Sequence, residues 1–333
     1  MKRLFPLIIS LIFVWNCSSS LPEWFQKRDE YYPQDKYIVS EGWGETPERS
    51  IEKAAINMAQ IFNTKVTIEK NLLERYESMS NMKDFDEYFY EFSEETAKLI
   101  SEQNLVNIMF VEPAYDKRSK SYFTLGYIEK SSTARILMDR MKREQDNMEY
   151  YVRMGYNNQD PVISYHYFTA SWLAGSKNKM MQEQLDVLIP GLGVPPIYTY
   201  AELGTFKEKA AEKISFSVSV EGDSNNRIEQ AVKKIVNEAG FKVIEHDAVL
   251  DININVQIKK IDIDQDPLVF VSWEFQLKMN NGFNETSLTL MKDGREGSTN
   301  TENAVRHAYE SMQSFIETDL REKLTDYFDL VKS

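Results

Sequence analysis

From Ile214 onward, apolar and polar side chains alternate with a period of two. Ile214, Phe216, Val218 and Val220 are interleaved with Ser215, Ser217 and Ser219. This is the pattern of a strand with one buried face. Leu250, Ile252, Ile254, Val256 and Ile258 alternate in the same way with Asp251, Asn253, Asn255, Gln257 and Lys259. Val269, Val271, Trp273, Phe275 and Leu277 predict another long strand, Thr286 to Met291 a further one, and Phe241 to Ile244 a short one. Asp223 is placed to cap a helix whose apolar face is Ile228, Ala231, Val232, Ile235, Val236 and Ala239, with Gly240 as its stop. Thr299 and Glu302 have capping-box spacing ahead of a last helix carrying Val305, Ala308, Met312, Phe315, Leu320, Leu324 and Phe328. The order β-α-β-β-β-β-α predicts an α+β sheet with its helices on one face.

Upstream the periods change more often. Tyr37 to Glu41 reads as a short strand closed by Gly42-Trp43-Gly44. Thr46 offers an N-cap hydroxyl and Pro47 fits the first helical position, where a missing N–H costs nothing. Ile51, Ala54, Ala55, Met58 and Phe62 then mark one helical face. A strand is predicted at Thr64 to Ile68 and an acidic, aromatic-rich helix at Asp84 to Ser101. Val106 to Val111 and Tyr122 to Ile128 are expected to pair across the turn Asp116 to Lys120.

Ser131 to about Leu188 is a helical stretch, read as three short helices. One stripe is Met138, Met141, Met148 and Val152; another is Val162, Tyr165, Phe168 and Trp172, with Asp160-Pro161 as a start and Gly175 as an end. Pro190 to Pro196 cannot sustain a helix or a central strand and reads as a linker.

The first seventeen residues differ from everything after them. Lys2 and Arg3 precede an apolar run from Leu4 to Trp15, which ends at Asn16, Cys17 and three serines. The run is shorter than the ~20 residues a membrane span needs, and fits a secretory h-region. The segment resembles a bacterial lipoprotein signal. That resemblance implies diacylation of the Cys17 thiol, cleavage before it and acylation of the new amino terminus. Val14 and Asn16 replace the residues most usual in that signal, which keeps a cleaved secretory signal or an uncleaved anchor as alternatives. Two or three acyl chains on Cys17 hold a protein firmly to a bilayer, where one does so only marginally.

The 333 residues carry 42% hydrophobic and 12% aromatic side chains, enough for two packed domains. The formal charge is −13; without Lys2 and Arg3 there are 37 basic against 52 acidic residues, hence −15. Such a body lacks the clustered cations that nucleic acid or lipid head groups select as a main partner. Cys17 is the single cysteine, so no disulfide forms within the chain.

Residues 21 to about 69 are similar to bacterial lipoproteins of the twenty-kilodalton Lpp type. The similarity lies in Pro22-Glu23-Trp24, in Ile38-Val39-Ser40-Glu41-Gly42-Trp43-Gly44, and in Ala54-Ala55-Ile56-Asn57-Met58-Ala59 followed by Thr64-Lys65-Val66. It implies a membrane-anchored envelope protein of a family with no known chemistry. The second module resembles, by element order, small periplasmic domains of outer-membrane assembly lipoproteins and of the Tol system. Such an analogy of fold assigns no function.

The residues give little chemistry. His166, His246 and His307 have no metal-binding spacing. His166, between Tyr165 and Tyr167 on a helix, reads as a packed or surface imidazole. Asp262, Asp264 and Asp266 begin like a calcium loop, but Pro267 and Trp273 replace its glycine and bidentate glutamate, leaving a solvated acidic turn. Gly42-Trp43-Gly44 lacks the third glycine of a dinucleotide fingerprint. Neither a phosphate loop nor a nucleophile elbow is present. Tyr88, Phe89, Tyr90 and Phe92 sit at adjacent helical positions and read as core, with partner contact as the alternative.

The organisation read from the chain is a signal peptide (1–16), a lipidated tether (17–34) that becomes ordered near Pro22-Glu23-Trp24, an α+β module (35–130), a helical segment (131–190), a Pro/Gly linker (191–203) and a second α+β module (204–330). The expectation is a non-enzymatic envelope lipoprotein. It is anchored at Cys17, in the outer membrane on the evidence of the serines that follow, with no cofactor, metal or nucleic acid. Its partners would be the membrane and an envelope protein that it binds or scaffolds. The alternatives are a carrier of lipid or another apolar ligand, with a cavity between the last helix and the sheet, and lastly a cell-wall hydrolase with two carboxylates ~5–9.5 Å apart.

Overall fold

The computed structural model describes residues 22–62, 106–262, 267–282 and 286–328. Cys17 and its signal, the strand at Thr64 to Ile68, the acidic helix with its aromatic group, and Asp264 and Asp266 lie outside the described residues. The chain is α+β and divides into two compact units. Over the described residues one comprises 22–62, 106–137 and 184–191, the other 138–183, 192–262, 267–282 and 286–328.

The first unit is built on a small antiparallel sheet. β1 (Tyr37–Gly44) pairs along its whole length with a longer strand, from Tyr37 opposite Glu129 to Gly44 opposite Tyr122. β2 (Met109–Phe110) and β3 (Ala114–Asp116) share the other edge of that long strand, β4 (Ser121–Glu129). The expected 106–111 strand is therefore only two residues long. Pro113, which has no N–H to give a ladder, lies in the interruption between β2 and β3.

β1 does not end at its glycines but runs through them. α3 (Pro47–Ile61) lies across that face so closely that a Cβ on Gly42 would stand 1.9 Å from Ser50 O and 2.5 Å from Ala54 N. Bare backbone there lets Ser40 Oγ donate to Ala54 O at 2.7 Å and lets Ala54, Ala55 and Met58 be fully buried. Thr46 caps α3 as read, its Oγ1 accepting from Arg49 N.

The helical stretch holds two long helices instead of three short ones. α4 (Lys130–Asn157) and α5 (Pro161–Leu188) have 28 residues each. Gly175 is inside α5, not at its end. A Cβ there would meet Leu203 Cδ1 at 2.4 Å, so that glycine serves close packing in the second unit. Residues 189 to 199 contain no regular element, yet they are held. Gln182 Nε2 donates to Leu192 O at 2.9 Å and Gln145 Nε2 to Pro195 O at 2.8 Å.

After α6 (Tyr200–Ala211), the second unit's sheet has the order β6-β5-β7-β8-β9. The strands are β5 (Ser215–Glu221), β6 (Lys242–Val243), β7 (Leu250–Ile261), β8 (Val269–Asn281) and β9 (Thr286–Ser298). β5 is parallel to β6 and β7, and the remaining pairs are antiparallel. Phe216, Ile252, Ile254, Val271, Trp273, Phe275 and Leu277 are buried in one apolar cluster. α7 (Arg227–Glu238) and α8 (Thr301–Phe315), a π turn (Ile316–Leu320) and α9 (Arg321–Phe328) supply its helical side. Asp223 Oδ2 accepts from Ile228 N and Glu229 N as its spacing implied, although Asn226, with φ 54°, occupies the formal cap position. The last helix is capped one residue later than the capping box predicts: Asn300 Oδ1 accepts from Asn303 N at 2.8 Å.

Candidate functional site

Helical turns fill the sheet face of the first unit opposite α3. From Pro22 on, the expected tether is folded into α1 (Glu23–Gln26) and α2 (Arg28–Tyr31). Alternation along β4 sends Phe123, Leu125 and Tyr127 to this side, with Trp43 paired beside Phe123. The fully buried Phe123 ring is stacked against Trp24 at 5.6 Å and meets Phe25 edge-on at 4.5 Å and Trp43 at 4.4 Å. Farther along, Tyr32 packs on Tyr127 and Tyr37 with centroids 4.9 and 5.5 Å away. Burial raises the phenol pKa of Tyr32 and of Tyr127, so both stay neutral donors. Arg28 forms an ion pair with Glu41 on β1, and Lys27 one with Glu23 at 2.7 Å. The segment carrying the Pro-Glu-Trp motif thus packs over the buried Phe123 on this face of the first unit's sheet, its own side chains half-buried or exposed.

A second concentration of polar groups lies in the second unit, between α4 and α5. Glu144 is wholly buried; Lys177 Nζ stands 3.3 Å from its Oε1 and Asn147 donates to its Oε2 at 3.3 Å. Thr169, Ser171, Ser176 and Asn178 are buried on α5 as well. Desolvation offsets most of what a buried ion pair gains, so the pair adds little net stability, whereas removing one partner alone leaves a buried charge uncompensated. The sequence reading missed it, yet a signal was present. Glu144 and Gln145 fall at i+3 and i+4 from Met141, on the stripe continued by Met148 and Val152.

The expected residues are not brought together. His166 is packed: its Nε2–H donates to Tyr327 O at 3.0 Å, tying α5 to α9, while Nδ1 is buried without a partner. Burial pushes the imidazole pKa down, against the opposing effects of the Tyr327 carbonyl and Asp160, so the ring is held neutral. His246 is exposed in the loop before β7, and His307 is on α8 beside Arg306. Asp262 is exposed after β7. Among the described residues no group of three or more His, Cys, Asp or Glu is placed to hold a metal ion. No described helix is long and apolar enough to cross a membrane.

No protein-family model and no curated protein matches the sequence. Among solved structures the chain is similar to a secreted protein of Helicobacter pylori, with 11% identity and a TM-score of 0.45 over 86% of this chain and 99% of that one. Its structural neighbours include bacterial lipoproteins. A minor lipoprotein of Acinetobacter baumannii has 9% identity and a TM-score of 0.25 over 34% of this chain and 90% of its own. The rare lipoprotein B of Shewanella oneidensis has 9% identity and a TM-score of 0.23 over 34% and 89%. Likenesses this distant assign no activity.

Proposed function

We propose that the protein is a non-enzymatic envelope lipoprotein, held to the outer membrane by acyl chains on Cys17, whose body binds or scaffolds another envelope protein. The observation that carries this reading is the order of Lys2-Arg3, the apolar run Leu4 to Trp15, and Cys17 followed by serines. The acidic body supports it, since 37 basic against 52 acidic residues without Lys2 and Arg3, a net charge of −15, suit neither nucleic acid nor anionic lipid as the main ligand. The histidines are dispersed, and the one buried imidazole is tied to a backbone carbonyl, an arrangement that serves packing.

The carrier alternative places an apolar cavity between the last helix and the sheet. Ala308, Met312 and Ile316 share one buried cluster there with Phe275 and Leu277, which lends it no support. The scaffold reading is tested by cross-linking intact cells and capturing the acylated protein from detergent-solubilised envelopes. One envelope protein recovered in fixed stoichiometry is the expected result; recovery of the lipoprotein alone overturns the scaffold role.

A further inference from the structure

The aromatic face of the first unit is where the folded body meets the start of the chain. Pro22 is only five residues beyond Cys17. Even fully extended, that connection reaches at most about 18 Å. Phe25 N donates to Pro22 O at 3.1 Å, so Phe25 sits at the end of the connection. Its ring is 6.4 Å from that of Trp24 and 6.3 Å from that of Trp43. Trp43 is 40% exposed, although it lies in a strand and packs on the buried Phe123.

Charge does not explain this surface. Over residues 22–36 Glu23, Asp29, Glu30 and Asp35 outnumber Lys27, Arg28 and Lys36, and Lys27 and Arg28 are both ion-paired. A polybasic grip on anionic head groups is therefore not the device. Indole has another affinity: its apolar body and single N–H favour the layer where acyl chains meet head groups. A tether of about 18 Å keeps the aromatic cluster within reach of that layer.

We infer that this face, with Trp43 at its exposed edge and Trp24 and Phe25 behind it, rests in the headgroup layer of the bilayer that holds Cys17. The inference rests on the anchoring reading above. Its occupant is a lipid surface, and the acyl chains bring the face to it. Lipid anchor and aromatic face then act as two joined contacts, the first supplying the local concentration for the second.

The test uses full-length acylated protein in phosphatidylcholine vesicles, with and without bromine atoms on the acyl chains near the head groups. Bromine quenches indole emission at contact. The native protein is expected to lose emission in brominated vesicles, and the Trp43→Phe variant to lose at least half of that quenching amplitude. Phenylalanine keeps the ring contact with Phe123, so the variant folds. Unchanged quenching in Trp43→Phe, or a vesicle-bound acylated protein that is not quenched, overturns the membrane-facing surface and leaves the anchor standing. The amino-terminal mass of the same sample separates the two claims, because absence of fatty acid on Cys17 overturns the anchoring reading itself.

Discussion

The two sheets of this protein solve burial in opposite ways. In the first unit both faces of a small sheet are covered, one by α3 lying on bare glycine backbone, the other by the aromatic turns at residues 23–32. In the second unit the described helices cover one face of the wide sheet. The other face carries alternating polar positions such as Asn253, Gln257, Glu274 and Lys278, all exposed. A one-sided antiparallel sheet is stable when it is large and its covered face is continuous. The small sheet lacks that area and recruits the segment next to Cys17 instead. Its stability and the placing of the proposed anchor are therefore one problem.

That contrast makes the glycine face the most fragile place. Gly42→Val is expected to destabilise the protein by about 5 kcal/mol, because the side chain must displace the α3 backbone and not a flexible neighbour. Urea unfolding measures it, and a loss under about 1 kcal/mol means that α3 does not lie where described. In the large sheet the matching experiment is Ile252→Ala, a fully buried position under the helices, with an expected loss of about 3–4 kcal/mol. Trp24→Ala removes the stacked ring from Phe123 at a half-buried site and is expected to cost about 2 kcal/mol. It should also speed proteolysis before β1; an unchanged urea midpoint would show the amino-terminal turns to be dispensable. Asn253→Ala, on the open polar face, is expected to change stability by less than about 0.5 kcal/mol, and a larger loss would reveal a covered surface.

The same contrast decides what could be read from the sequence. The large sheet was legible because one-sided burial writes itself as alternation. Phe216, Ile252, Ile254, Trp273 and Phe275 were placed on the core face from spacing, and the structure buries all five. Ends were legible where a side chain does the capping, as with Thr46 and Asp223. Glycines were misread for a physical reason. Gly42, Gly44 and Gly175 looked like terminators, but each admits a close neighbour, and what approaches a glycine is not encoded next to it. The Glu144–Lys177 pair was only half legible for a related reason: Glu144 falls on the apolar stripe of Met141 and Met148, but nothing beside it names Lys177. Charged residues read as solvated until their partner on another helix is known. The aromatic face was half legible: Pro22-Glu23-Trp24 stood out as a motif, while its contact with Phe123, about a hundred positions away, did not.

The proposed location and role both depend on fatty acid at Cys17. Intact-mass spectrometry of the protein extracted from native envelopes tests that claim most directly. The expected chain begins at Cys17 and carries the added mass of two or three acyl groups. A chain with an unmodified cysteine, or one beginning at a residue beyond it, would rule out the lipid anchor.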